Sequence, residues 1–107
     1  MTDVTPKHKI SQTLNNDTWI WVIIQTQGGA DQLLGQLYPK ENLSFIPAFL
    51  DKEQAKSGLE LVPRDDRSEY YVQAMQLDHL AQEALQNGFH IFIVTGKGEV
   101  LEKINPL

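Results

Sequence analysis

The sequence predicts an α+β domain: a mixed or antiparallel sheet of about four to six strands with two short helices. Three observations carry this expectation. Residues 18–26 (TWIWVIIQT) and 89–94 (FHIFIV) are rich in β-branched and aromatic side chains and read as strands. Two other segments carry helix-boundary signals, one opening at Asp51 and one closing at Asn87-Gly88. The chain has 107 residues, 41% of them hydrophobic, which is enough for one domain with one core.

Residues 1–17 are polar and aperiodic and are punctuated by Pro6, Asn15 and Asn16. They read as a flexible N-terminal arm, with residues 18–107 as the single α+β domain. Along 18–26 both strand faces are apolar. Trp19, Trp21 and Ile23 share one face; Ile20, Val22 and Ile24 share the other. A strand with no polar face wants cover on both sides, so it belongs in the middle of its sheet. Gly28-Gly29 ends it. Residues 31–38 (DQLLGQLY) fit helical spacing through Leu33, Leu34 and Leu37, and strand alternation through Leu33, Gly35 and Leu37. The Gly-Gly turn before them favours a returning strand, stopped by Pro39. Residues 43–49 (LSFIPAF) are extended, with Phe45, Pro47 and Phe49 on one face. Proline donates no ladder hydrogen bond, so this strand lies at an edge or places Pro47 where no donor is needed.

Asp51 is a good N-cap, and Gln54 three residues later completes a capping box, with Leu50 and Ala55 as a hydrophobic staple. The helix is expected over about 51–57, with Gly58 at C′. Residues 59–62 read as a short extended piece closed by Pro63, 64–69 as a charged loop, and 70–77 (YYVQAMQL) as a strand. The clearest helix spans about 78–87. Asp78 caps it, Leu80, Ala81, Ala84 and Leu85 form its apolar stripe, and Gly88 takes a positive φ at its end. Gly96-Lys97-Gly98 turns the chain into a closing strand over 99–104.

These two helices have a wide sheet to cover. A helix is about 10–12 Å across, and four or five strands span about 20–24 Å. If both helices lie on one face, the other needs the N-terminal arm, another protein or a second copy. The chain is therefore expected to be a homodimer or to bind another protein. Trp19, Trp21, Tyr70 and Tyr71 are the expected interface residues, since tryptophan and tyrosine pack a ring while keeping a polar atom paired.

The acidic balance, a net charge of -5, argues against nucleic acid, and the lysines and arginines form no stripe. The chain has no cysteine, so disulfides and thiolate metal sites are excluded. No apolar run reaches the roughly 18 residues of a membrane helix, and the first residues lack the secretion pattern. No membrane association and a cytoplasmic location are expected.

No motif carries chemistry. Residues 96–99 (GKGE) lack the phosphate-loop frame, and Gly28-Gly29-Ala30 lacks the dinucleotide spacing. His79 and Glu83 stand four apart as an exposed helix pair, short of the ligands zinc needs, and nothing in the sequence joins them to His8 or His90. Asp65-Asp66 reads as a solvated pair in a charged loop. Ser57 and Ser68 lie outside any nucleophile elbow. No catalytic residue, metal or cofactor is expected.

The order of residues 46–51 (IPAFLD), Ala55 in the next helix, Met75-Gln76-Leu77-Asp78, a helix running to Gly88 and a strand over 91–94 resembles small bacterial domains of unknown function. It is similar in pattern to the N-terminal domain of SseB-type proteins. The resemblance spans about four fifths of the chain. It implies an α+β fold and supplies no catalytic residues to carry over. The expected function is a non-catalytic protein-interaction or regulatory domain using an apolar sheet face. The alternative is a small-ligand-binding or hydrolase-like domain in which Glu60, Asp65, Asp66, His79 and His90 converge.

Overall fold

The computed structural model describes residues 14–106. Seven strands and two α-helices follow in the order β1 (Trp19–Gln27), β2 (Ala30–Leu33), β3 (Gln36–Tyr38), a 3-10 turn (Pro39–Glu41), β4 (Leu43–Phe49), α1 (Lys52–Leu59), β5 (Ser68–Gln76), α2 (Leu77–Asn87), β6 (His90–Val94) and β7 (Val100–Ile104). The α+β class and the mixed sheet match the sequence reading. The strand count exceeds the expected four to six.

The extra strand comes from residues 31–38, which form two strands where one was expected. β1 and β4 are antiparallel but pair only at Trp21–Phe49 and Val22–Ala48. Beyond that point they diverge. β2 follows β1 (Ile24 opposite Leu33), and β3 follows β4 (Gln36 opposite Phe45), so the chain fills the opening as a wedge with its corner at Gly35. The Phe89 ring sits against that corner: a Cβ on Gly35 would come within 2.7 Å of it. Pro47 lies in the two-residue gap on the same β4 edge, between the pairs to β3 (residues 43–45) and those to β1 (residues 48–49). β4 is thus internal to the sheet, and its proline sits where no neighbouring strand asks for a donor.

β1 is central, as its two apolar faces required. β5 runs along one edge of it from Trp19–Gln76 to Gln27–Ser68, and β2 and β4 share the other. β6 lies parallel to β4, and β7 pairs antiparallel with β6. Since β4 and β5 are both antiparallel to β1, β4, β5 and β6 all run the same way. The chain therefore crosses from β4 over β1 to β5 through α1, and returns from β5 to β6 through α2. Two crossovers of one hand that travel in opposite directions must pass over opposite faces.

The packing obeys this. Ile20, Val22, Ile24, Ile46, Ala48, Ile91 and Ile93 pack with Leu77, Leu80 and Ala84 of α2. Ile23, Phe45, Phe49, Phe92 and Val94 pack with Ala55 of α1 and Val62 on the other side. Phe45 and Phe92 stack at 4.3 Å, and Tyr38 meets both edge-on. A fully buried aliphatic or phenylalanine side chain contributes roughly 1.5–3 kcal/mol. One short helix per face thus buries the middle of both faces and leaves Trp19 and Tyr71 exposed near the β5 margin.

Local boundaries also shift. Residues 59–62 are the end of α1 and a turn, with no strand. The N–H groups of Leu61 and Val62 reach back to the carbonyls of Gly58 and Leu59. Gly58 is inside α1, where its missing side chain admits the Phe49 ring. Asp51 caps α1 by accepting from the Gln54 N–H. Gln54 does not close the capping box. Its Oε1 accepts from the Gly96 N–H and ties α1 to the β6–β7 turn. Helix α2 begins a residue earlier than expected, with Gln76 as N-cap and Asp78 in the first turn, because Leu77 N–H bonds to Thr18 O and Asp78 N–H to Asn16 O. Gly88 ends α2 at φ 75°, with Phe89 N–H on Ala84 O. Of the expected arm, residues 1–13 lie outside the described residues; Leu14 packs against the α2-side core.

Candidate functional site

The four aromatic residues singled out by sequence fall on two neighbouring strands. Trp19 and Trp21 lie on β1 on the α1 side, opposite Gln76 and Ala74 of β5. Trp19 is 61% exposed. Trp21 is half-buried, with the Lys52 ammonium 5.6 Å from its ring centroid. Tyr70 and Tyr71 are successive residues of β5 and point to opposite faces. Tyr70 is half-buried on the α1 side, where its hydroxyl accepts from the Asp65 N–H and the Arg64 guanidinium stands over its ring. Tyr71 is exposed on the α2 side and donates to Asp31 Oδ2 at 2.9 Å. Asp31 also accepts from the Thr26 hydroxyl. The Thr26 and Tyr71 hydrogen bonds hold the Asp31 carboxyl below the ordinary carboxylate range, and the Asp31 bond raises the Tyr71 phenol.

β5 lies at one margin of the sheet, with β1 on one edge and no described strand on the other. Its free groups can be assigned. Leu77 N–H bonds to Thr18 O, which extends the β1–β5 register by one pair. Main-chain groups alternate between the two edges of an antiparallel strand. Tyr71, Gln73 and Met75 therefore turn theirs to β1, and Tyr70, Val72 and Ala74 turn theirs outward, as does the Gln76 N–H; the Gln76 carbonyl, at the N-cap of α2, accepts the first helix bond. Ser68 also faces outward, but its N–H is taken by Asp65 O. Nine consecutive pairs run without a register break, and the strand (SEYYVQAMQ) has no proline, no lysine and one charge, Glu69.

The other margin differs. β7 has five residues, an irregularity opposite Ile93/Val94, and the charged Glu102 and Lys103. Lys103 is bound to Glu41 at 2.6 Å and lies 4.7 Å from the Tyr38 centroid. Short length, irregular pairing and charge are the usual devices that stop a sheet edge from recruiting another strand. β7 has all three, and β5 has only the single charge of Glu69.

The polar residues proposed to converge do not meet. His79 lines a hollow of about 420 Å³ beside Asp31, Tyr71 and Glu83 on the α2 face. His90 lines a different one near Asn105 and Pro106. Asp65 is used in its own turn, accepting from Arg67 N–H and the Ser68 hydroxyl, and Asp66 and Glu60 are exposed. Ser68 also accepts from the Gln25 amide, so its hydroxyl serves the β1–β5 pairing. The wedge between β2 and β3 opens onto a cavity of about 580 Å³, walled by Gln32, Gln36, Ser44, Glu83, Asn87 and Phe89. Its lining is rich in amides and has one formal charge, Glu83. Among the described residues no group of three or more potential ligands could hold a metal ion, and no helix is long and apolar enough to cross a membrane. No family model, curated protein or solved structure matches this chain.

Sequence reasoning missed the β5 edge and the partnership of Asp31 with Tyr71. The edge had a visible signal in the absence of proline and lysine from residues 68–76, but its position at a margin depends on strand order. Asp31 and Tyr71 are 40 residues apart and meet only through the β2–β1–β5 pairing.

Proposed function

We propose that this domain is a non-catalytic protein-interaction module that binds an extended segment by adding it to the sheet beside β5. The supporting observation is the open, regular edge of β5, contrasted with the blunted edge of β7. In strand addition, main-chain hydrogen bonds give affinity and alternate side chains give specificity. Here the flanking side chains of β5 are Tyr70 on the α1 side and Tyr71 on the α2 side, with Trp19 one strand further in on β1. The sequence expectation places the interface on an apolar sheet face; this proposal places it along the edge beside β5, next to the exposed Trp19 and Tyr71. The likeness in element order to SseB-type domains, which offers no catalytic residues to transfer, fits this reading.

Selection of random peptides on the immobilised domain tests it. Ala74 turns its N–H outward, so Ala74→Pro removes a docking donor without breaking a bond to β1. Selected peptides should bind the wild type and lose at least about tenfold in affinity on Ala74→Pro, while Leu101→Lys on β7 leaves them unchanged; an outward main-chain bond is worth about 1 kcal/mol, and proline adds a steric block. Peptides indifferent to Ala74→Pro would refute strand addition at β5.

A second reading is favoured by the cavity in the β2–β3 wedge, whose amides suit a small polar ligand. A screen of polyols and amines by thermal shift tests it. A hit that Glu83→Ala and Asn87→Ala abolish would support it, and no hit would remove it.

A further inference from the structure

We propose that the strand added to β5 is β5 of a second copy of this chain, antiparallel about a two-fold axis through Gln73. This rests on the interaction reading above and names its partner. The axis follows from which groups are open. Tyr70, Val72 and Ala74 face outward with both main-chain groups, Gln76 with its N–H alone because its carbonyl opens α2, and Ser68 has no N–H left to give. An axis through Gln73 sets Val72 opposite the partner's Ala74, where both bonds can form, and Tyr70 opposite the partner's Gln76, whose N–H can reach the Tyr70 carbonyl. An axis through Val72 would draw the charged Glu69 inward, beside the partner's Met75. An axis through Ala74 would run Tyr70 against Asp78, which lies in α2.

Charge and shape agree with this register. Two molecules each carrying -5 repel, so a self-interface needs a neutral centre. Residues 70–76 carry no charge, and Glu69, the one charge on β5, falls beside the partner's Leu77. On the α1 side the branched Val72 lies next to the small Ala74. On the α2 side Tyr71 lies next to the partner's Met75, a favourable ring–thioether neighbour, and the two Gln73 amides can bond each other across the axis. The contact is self-complementary, as a two-fold interface must be, and it turns two sheets into one.

The cysteine-free chain makes the test direct. Gln73 turns its own main-chain groups to β1, so across the new interface it forms a non-hydrogen-bonded pair. Cα atoms in such pairs stand about 4.5 Å apart, within the roughly 4.4–6.8 Å a disulfide spans. The wild-type chain should sediment at twice its 12.2 kDa mass. Gln73→Cys should cross-link under mild oxidation roughly tenfold more than Leu101→Cys on β7, because the dimer holds the two thiols at high effective concentration. A monomeric wild-type mass, or equal cross-linking of the two variants, overturns the second copy as partner. If such a monomer still binds selected peptides in an Ala74-dependent way, only this inference falls; if it binds none, the interaction reading falls as well.

Discussion

Gly58, in the last turn of α1, lies against the ring of Phe49: a Cβ built on it would come within 2.5 Å of two ring carbons. Phe49 is 2% exposed and cannot swing away. Alanine is favoured over glycine in a helix by about 1 kcal/mol, but overpacking a tight contact costs about 1–3 kcal/mol. Gly58→Ala is therefore expected to destabilise the domain by up to about 2 kcal/mol in urea unfolding. A stabilising result would show that α1 can lift off the sheet at little cost.

Gln54 joins two parts of the molecule far apart in sequence. Its side chain accepts from the Gly96 N–H at 2.6 Å, and Gly96 is buried in the β6–β7 turn. Gln54→Ala leaves that donor without a partner, at an expected cost of about 1–2 kcal/mol. Asp51→Ala removes the α1 cap and should cost about 1 kcal/mol. The two variants should differ locally. Amide exchange at Gly96 should rise in Gln54→Ala and stay near wild type in Asp51→Ala.

Much of this architecture is legible from local patterns. The two-sided apolar strand over 18–26 does sit at the sheet centre, Asp51 does cap α1, and Gly88 does close α2 with a left-handed turn. These depend on residues a few positions apart. What the sequence hid depends on strand order. Nothing local says that β4 and β6 are parallel neighbours or that α1 and α2 therefore lie on opposite faces. That strand order also leaves β5 at a margin of the sheet. The wedge was hidden for a related reason. Leu33, Gly35 and Leu37 look like one strand face, but β1 and β4 part at Val22–Ala48, and the chain must fold at Gly35 to follow both.

Asp31 and Tyr71 supply a pH-dependent prediction. The Asp31 carboxyl titrates below its ordinary value of about 3.9, and the Tyr71 phenol above its ordinary value of about 10. A lowered acid contributes stability above its unfolded pKa and loses it as pH falls through the folded one. A raised phenol contributes below its unfolded pKa and loses it as pH rises through the folded one. The stability difference between wild type and Asp31→Ala should therefore be greatest on a plateau around neutral pH. It should shrink both in strong acid and above the tyrosine range. The groups are exposed, so the difference is expected to be small. The sharper readout is ultraviolet titration of tyrosinate. The wild type should show a late-titrating tyrosine that is absent in Tyr71→Phe and moves to lower pH in Asp31→Ala. If Asp31→Ala leaves the tyrosine curve unchanged, the β2–β5 link through these two side chains is not formed in solution.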